Sequence, residues 1–575
     1  MELSLVFTVF FFSLACATDP VVQLAEYEAT GFEYSFQHNG AEFVTNAFYS
    51  LPYAQPPVGP LRFEKPLPLP ANNTKKIVGK VLPPGCYQQE DFAQISSDLD
   101  QAYPVSEDCL FLNVVAPSEP PPAGKKYQVL VWIHGGGFVY GMSRFYGMQT
   151  LARHFNPQGI IVVGIQYRLG FLGFLSLDSS YANIGLYDQS AALKWINSHI
   201  SAFGGDPDQV TVWGNSAGGV STHSHALSPL SNKYFKNAIQ SSGSLYNLWS
   251  HPRHTRVISA NFTTTLGCSS TNINEAKACL RTKTIKQMWQ AVIPFTRMNN
   301  GMDTIHWCPL ADEAFYGGKS IKQLTQASPI KNILYGTTYG EGLLLTLRSD
   351  SIIASVFAYW LGQTVDQQTS FTEANFTDYL DNYLNTEATS GNKRSQVRKI
   401  LNNYYHQGAP PATNNSKFWY TQQTTSQTHG TFQGGISVEI RDKLKWGCKN
   451  LFMYLFDYVH PEHLPFTGMP IKYAPHAYEY QYLTDGEPYF AFDNENGTNA
   501  VEDNFTQKLV NGIGAFVKTG SPSTSQLAWP VIKNAEKIDY MEVGATVAPD
   551  NTYFVDVYKN WNQVYELGYG SDILV

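Results

Sequence analysis

Three near-continuous apolar runs, two of them separated by an amphipathic helical stretch, leave this chain few ways to fold. Tyr127–Ile133 contains Val129, Leu130, Val131, Trp132 and Ile133 and closes on three glycines. Ile160–Ile165 is a second such run, and residues 209–213 form a third that ends at Gly214. Strands that are apolar on both faces belong in a sheet covered on both sides. Between the second and third runs, residues 186–203 place Leu193, Ile196, Ile200 and Phe203 on one stripe at spacings of three and four, the mark of a helix with one buried face. Gly204-Gly205-Asp206-Pro207 stops it. Strand, helix, strand predicts a βαβ unit and a mostly parallel sheet. Further strands are expected at 333–335 and 451–458, and a late helix over 502–518. Residues 360–435, rich in Gln, Thr and Asn, read as helices and loops that cap the sheet. No repeat or linker divides the chain, so residues 18–575 are expected to form one large α/β domain.

With 43% hydrophobic, 14% aromatic and only 15% charged residues, the chain can bury a large core, which excludes a disordered protein. Lys and Arg number 39 against 47 Asp and Glu, for a net charge of −8, and a duplex nucleic-acid partner would call for a basic face instead. The basic cluster Lys393, Arg394, Arg398 and Lys399 reads as a solvated helix start.

The first residues predict export. Leu3 to Leu14 is apolar apart from Ser4, Thr8 and Ser13, and Ala15-Cys16-Ala17 follows as a small-x-small cleavage pattern. The run is too short for a bilayer span, so residues 1–17 are read as a cleaved signal peptide although no Lys or Arg precedes the run. Ser571-Asp572-Ile573-Leu574-Val575 matches neither a retention signal nor a lipid-anchor tail. A secreted protein without a membrane span is the expectation. Six cysteines remain after residue 17: Cys86, Cys109, Cys268, Cys279, Cys308 and Cys448. An even count in a secreted chain favours disulfides, and although six cysteines permit 15 pairings, short loops favour Cys86–Cys109 and Cys268–Cys279. Asn72, Asn261, Asn375, Asn414, Asn496 and Asn504 are candidate N-glycosylation acceptors.

The chemistry is expected at the end of the third run. Gly214-Asn215-Ser216-Ala217-Gly218 sits between a strand and a helix of small residues. A nucleophile on such a turn needs nearly side-chain-free positions two before and two after it, and the helix start then aims its amides at the reacting oxygen. His134-Gly135-Gly136-Gly137-Phe138 ends the first run, and successive glycines let main-chain N–H groups meet a developing oxyanion. The close histidine pairs His223/His225, His251/His254 and His460/His463 offer no third ligand and no His-Glu-x-x-His helix, so packing or surface roles are expected and no metal.

Together these residues resemble the type B carboxylesterase and cholinesterase family of α/β-hydrolases. The resemblance extends through Leu51-Pro52-Tyr53-Ala54, Pro56-Pro57-Val58-Gly59, Leu61-Arg62-Phe63, the stretch from Ser106 to Asn113, Tyr167-Arg168-Leu169-Gly170, Phe203 to Pro207 and Gln240 to Ser244. It implies Ser216 as nucleophile, Gly136, Gly137 and Ala217 as oxyanion-hole amides, Glu341 as the acid and His476, in a His-x-x-Glu stretch, as the base. Gly340 stands where the family usually has Asp before that Glu. Ser242 matches a serine near the acid, and the family's short disulfides match the two pairings favoured above. The implied reaction is ester hydrolysis through an acyl-enzyme, with an ester and water as reactants and no cofactor.

Departures from cholinesterases bear on the substrate. Leu99 replaces a Trp, Asn215 replaces a Glu before the nucleophile, and Leu344 and Leu345 replace an aromatic pair. Losing a ring stack and an acid together removes most of the attraction for a quaternary ammonium. With Trp249 matching an acyl-pocket aromatic, the resemblance implies an apolar pocket and a carboxylesterase for neutral esters. The other readings are a lipase-like enzyme acting on acylglycerols or sterol esters, and a non-catalytic adhesion protein on the same fold.

Overall fold

The computed structural model describes residues 19–72, 74–88, 104–250, 254–296, 305–328, 331–346, 363–384, 392–409, 415–461, 469–484 and 498–568. The expected signal peptide (1–17), Leu99, His251, His463, Asn414 and Asn496 lie outside them.

Eleven strands make the main sheet: β1 (Phe32–His38), β2 (Ala41–Pro52), β3 (Phe111–Pro117), β4 (Tyr127–Ile133), β5 (Ile160–Ile165), β6 (Gly205–Asn215), β7 (Asn237–Ser241), β8 (Asn332–Thr338), β9 (Leu451–Asp457), β10 (Tyr540–Gly544) and β11 (Val547–Asp550). Their spatial order is β11-β10-β9-β8-β7-β6-β4-β5-β3-β2-β1. Every pairing from β5 across to β10 is parallel, and the pairings outside that block are antiparallel. The chemistry of the strands follows this division. β5 is buried along its whole length, whereas β1 at the edge alternates half-buried with exposed residues.

Connections between the central strands are helical: α1 (Met148–Phe155) links β4 to β5, α2 (Ile184–His199) links β5 to β6, and α3 (Ala217–Leu227) links β6 to β7. The chain leaves β4 toward β5 on one side and returns as β6 on the other. The β4 and β6 ends therefore flank the point where strand order reverses, the place where open α/β sheets bind ligands. Helix α4 (Gly434–Lys445) precedes β9, and α5 (Ala500–Thr519) runs under the sheet with Phe505, Leu509, Ile513 and Phe516 buried, the face the sequence predicts.

Two stretches quoted for the family resemblance tie the core together. Arg168 donates through Nε and Nη2 to Asp188 on α2 at 2.8 and 2.7 Å, with both groups buried. Arg62 pairs with Glu107 at 2.6 Å. Disulfides join Cys86 to Cys109 and Cys268 to Cys279, while Cys308 and Cys448 are buried thiols outside these two bridges. The first closes a loop worth roughly 3 kcal/mol of unfolded-state entropy. The cap region contains helices Glu373–Tyr383, Asn392–Tyr405 and Ser416–Gln427, then a π-helical turn, Thr428–Gln433, that runs into α4. The basic cluster lies on Asn392–Tyr405, where Arg398 pairs with Asp381 at 2.5 Å. Among the described residues no helix is long and apolar enough to cross a membrane.

Candidate active site

Strand register brings the two glycine-rich turns together. Gly214 on β6 lies opposite Ile133 on β4, so the chain leaves both strands side by side. The turn after β6 is tight: a Cβ on Gly214 would lie 2.1 Å from the Gly218 carbonyl oxygen. Ser216 between them has φ 58° and ψ −122°, a conformation that costs a non-glycine residue energy and that packing must impose. Its N–H is fixed by the Ser241 carbonyl at 2.8 Å. Gly136 has φ +108°, and a Cβ there would meet the Tyr140 carbonyl oxygen at 2.1 Å, so this turn also needs glycine. His134 shapes the turn from behind. Its ring stacks on Tyr167 with centroids 4.4 Å apart, Tyr167 donates to its carbonyl at 2.9 Å, and burial pushes the imidazole down to about 4, which keeps it neutral.

Glu341 follows β8 and is wholly buried. Its Oε1 accepts from Ser242 Oγ at 2.5 Å, Thr337 Oγ1 at 2.7 Å and the Thr338 amide at 2.8 Å. Its Oε2 lies 2.5 Å from His476 Nδ1. Burial works to raise the carboxyl, but the facing imidazole and the Ser242 and Thr337 hydroxyls outweigh it and hold Glu341 below the usual carboxylate value. Gly340, the departure from the family pattern, has a packing reason. A Cβ there would sit 2.4 Å from the Tyr473 Cβ, and the Gly340 amide donates to the Ala474 carbonyl at 2.9 Å. The segment that carries His476 is thereby laid directly on the turn that carries Glu341.

Ser216, His476, Gly136 and Gly137 line one cavity, with Tyr140, Trp249, Ile305, Leu344, Leu345, Thr431 and Phe432 completing its wall. Of the predicted pocket residues, Trp249, Leu344 and Leu345 line it. Asn215 is buried behind the turn and is not part of the lining, and Ala217 is buried as the first residue of α3. Asn72, Asn261, Asn375 and Asn504 are exposed.

Phe432 escaped the sequence reading. Its ring stacks on the His476 imidazole with centroids 4.4 Å apart and planes at 27°. It sits on the π-helical turn, inside a stretch whose weak periodicity gave no signal for it. The same turn holds the pocket wall, since the Thr431 carbonyl accepts from Trp249 Nε1 and Asn247 Nδ2, both at 2.9 Å. Gln433 Nε2 reaches the Thr338 carbonyl at 3.0 Å, and Thr428 Oγ1 accepts the Gly342 amide at 2.9 Å. Thr337 and Thr338, which cradle Glu341, were likewise unmarked, because threonines ending a strand look like ordinary strand residues.

The topology and this constellation define an α/β-hydrolase. The sequence profile of the carboxylesterase family matches residues 18–561. The chain belongs to that family and is a carboxylic ester hydrolase. It is 29% identical to gut esterase 1 of Caenorhabditis briggsae across 96% of this chain and 94% of that protein. It is 29% identical to esterase E4 of Myzus persicae across 91% of each. Cholinesterase of Mus musculus is also 29% identical, across 85% of this chain and 78% of that protein.

Proposed function

We propose that Ser216, His476 and Glu341 hydrolyse neutral, apolar carboxylic esters through an acyl-enzyme. The observation that carries this reading is the 2.5 Å His476–Glu341 pair opening onto the same cavity as Ser216 and the Gly136–Gly137 turn. His476 takes the Ser216 proton as the hydroxyl oxygen attacks the ester carbonyl carbon. Ionised Glu341 keeps the imidazole proton on Nδ1 and stabilises the imidazolium. The amides of Gly136, Gly137 and Ala217 hold the tetrahedral oxyanion, each worth ~10²- to 10³-fold in rate. The alcohol leaves with the proton from His476. Water then attacks the acyl carbonyl with His476 again as base, and the acid departs.

Neutral esters are favoured because five of the lining side chains, Trp249, Ile305, Leu344, Leu345 and Phe432, are apolar and no carboxylate is among the described lining residues. A quaternary ammonium would find no counter-charge among them. We further assign residues 18–575 to one enzyme domain and the protein to the secretory pathway, a placement supported by the two disulfides and by the four exposed sequon asparagines.

The test compares nitrophenyl acetate and butyrate with acetylthiocholine, alongside organophosphate labelling of the parent and of Ser216→Ala. The parent should label stoichiometrically and prefer the nitrophenyl esters, and Ser216→Ala should do neither. A higher kcat/KM for acetylthiocholine overturns the substrate class, and activity persisting in Ser216→Ala overturns the assignment. Turnover confined to emulsified acylglycerol would move the protein to the lipase reading.

A further inference from the structure

A second acid–histidine–hydroxyl cluster lies behind the site. Glu439 on α4 is wholly buried and receives contacts from three other elements. Its Oε2 accepts from Ser244 Oγ at 2.5 Å and lies 3.0 Å from His223 Nδ1 on α3. Its Oε1 accepts from the Tyr335 hydroxyl on β8 at 3.0 Å. The Tyr246 amide donates to Ser244 Oγ at 3.0 Å, and the Tyr246 ring lies parallel to His223 at 5.9 Å. Three hydrogen-bonding contacts satisfy the carboxylate. Burial works to raise Glu439, but His223, Lys443 and Ser244 outweigh it and keep it below the usual carboxylate value.

The cluster is not a second active site. All of its members are buried, and His223 Nε2 has no hydrogen-bond partner among the described residues. What it joins gives its meaning. α3 begins at Ala217, directly after Ser216. The loop after β7 carries Ser242, which donates to Glu341, then Ser244, then Trp249 in the pocket wall. β8 ends in Thr337 and Thr338, the other two donors to Glu341. α4 continues the π-helical turn that carries Phe432. One carboxylate therefore binds together the four elements that hold the nucleophile, the acid's donors and the ring stacked on the base.

We propose that Glu439, with Ser244, His223 and Tyr335, is a positioning hub that sets the loop after β7 so that Ser242 fixes the Glu341 carboxylate. This rests on the assignment of Ser216, His476 and Glu341 given above. The hub touches neither substrate nor reacting atoms and acts through Ser242. A misplacement of about 1 Å, even one caused far from the chemistry, can slow such a reaction by roughly two orders of magnitude, and a smaller one by less.

The experiment measures acylation by nitrophenyl butyrate per active site titrated with organophosphate, in the parent and in Glu439→Gln, Ser244→Ala, Ser242→Ala and the Ser242/Ser244 double variant. Glu439→Gln should lower kcat about tenfold and Ser244→Ala about threefold, with KM changed by less than about twofold. The Ser242 and Ser244 effects should combine to less than their product, because Ser244, bound to Glu439, reaches Glu341 only through Ser242. Should Glu439→Gln not accumulate in folded form, Ser244→Ala, which deletes one hydroxyl, carries the test through the same cycle. Unchanged kcat per titrated site with only a lowered Tm, or fully multiplicative serine effects, overturns the hub. Failure of the parent to titrate at Ser216 would instead overturn the underlying assignment, so the two failures are distinguishable.

Discussion

His476–Glu341 and His223–Glu439 are built from the same parts. In each, an imidazole Nδ1 faces a carboxylate, at 2.5 and 3.0 Å, and a serine hydroxyl donates to that carboxylate at 2.5 Å. In each, the acid stays below its usual value although burial works against it. They differ in what lies at the far edge of the ring. His476 lines a cavity together with Ser216, whereas His223 points Nε2 into packed protein. A general base must reach the proton it removes. Pairing and burial are common to both places, and access makes one pair chemical and the other architectural.

That contrast is broken most directly at the open pair. His476→Ala should reduce kcat by ~10⁶-fold, because the serine loses its base. Glu341→Gln should cost ~10⁴-fold, since an amide cannot hold the same tautomer. Against these, the tenfold loss expected for Glu439→Gln is small, and the ratio between the two Glu→Gln variants measures the distance between a group in the relay and one behind it. Steady-state rates per mole of folded protein check all three. If Glu439→Gln matched Glu341→Gln, the division of roles would be wrong.

Phe432 tests whether the wall of the open site is as specific as its base. Phe432→Ala removes the ring stacked on His476 and widens the cavity beside it. Turnover of the acetate should fall about tenfold, while the hexanoate should gain about tenfold relative to the butyrate, because an added pair of methylenes can now be buried. A chain-length series of nitrophenyl esters decides it. An unchanged ratio would place Phe432 outside the substrate's reach.

The two pairs were unequally legible in the sequence. Ser216 and Gly136 announce themselves because a strained turn demands glycine at fixed offsets, and β4 and β5 because buried parallel strands must be apolar throughout. Glu341 had no such signal. A single acid after a short strand acquires meaning only through the family pattern, and there Gly340 departs from it for a reason, contact with Tyr473, that only coordinates reveal. The closed pair could not be read at all. His223 beside His225 implied only a packing or surface role, and both are buried, His225 bonding Ser231 and Gln189 at 2.8 and 2.9 Å. Glu439 looked like any helix acid, because nothing local marks a contact between elements so far apart in the chain. Phe432 was hidden for the same reason, inside a cap whose polar composition obscures its buried faces.

The closed histidines make the smallest prediction, one of stability rather than rate. Burial lowers His134 to about 4, His225 and His429 each to about 3, and His223 by an amount partly offset by Glu439. In the unfolded chain each would titrate near 6.5. Between those values the unfolded state binds protons that the folded state refuses, so stability is complete above about pH 6.5 and declines as pH falls toward 4. Glu341 and Glu439 act in a lower window. Their folded values lie below the unfolded one, so their contribution holds above about pH 4.5 and is lost beneath it. Urea unfolding followed from pH 7.5 to 4.5 should therefore show a decline that starts near 6.5, with each histidine adding up to ~1.4 kcal/mol per pH unit. His429→Gln should flatten that slope by about one proton. Glu439→Gln should lower the whole curve and leave its slope between pH 6.5 and 5 no shallower, because His223 loses the charge that offsets its burial. A flat stability between pH 7 and 5 would mean that these rings are protonated in the native core, and the neutral, closed state assigned to His223 would be lost with them.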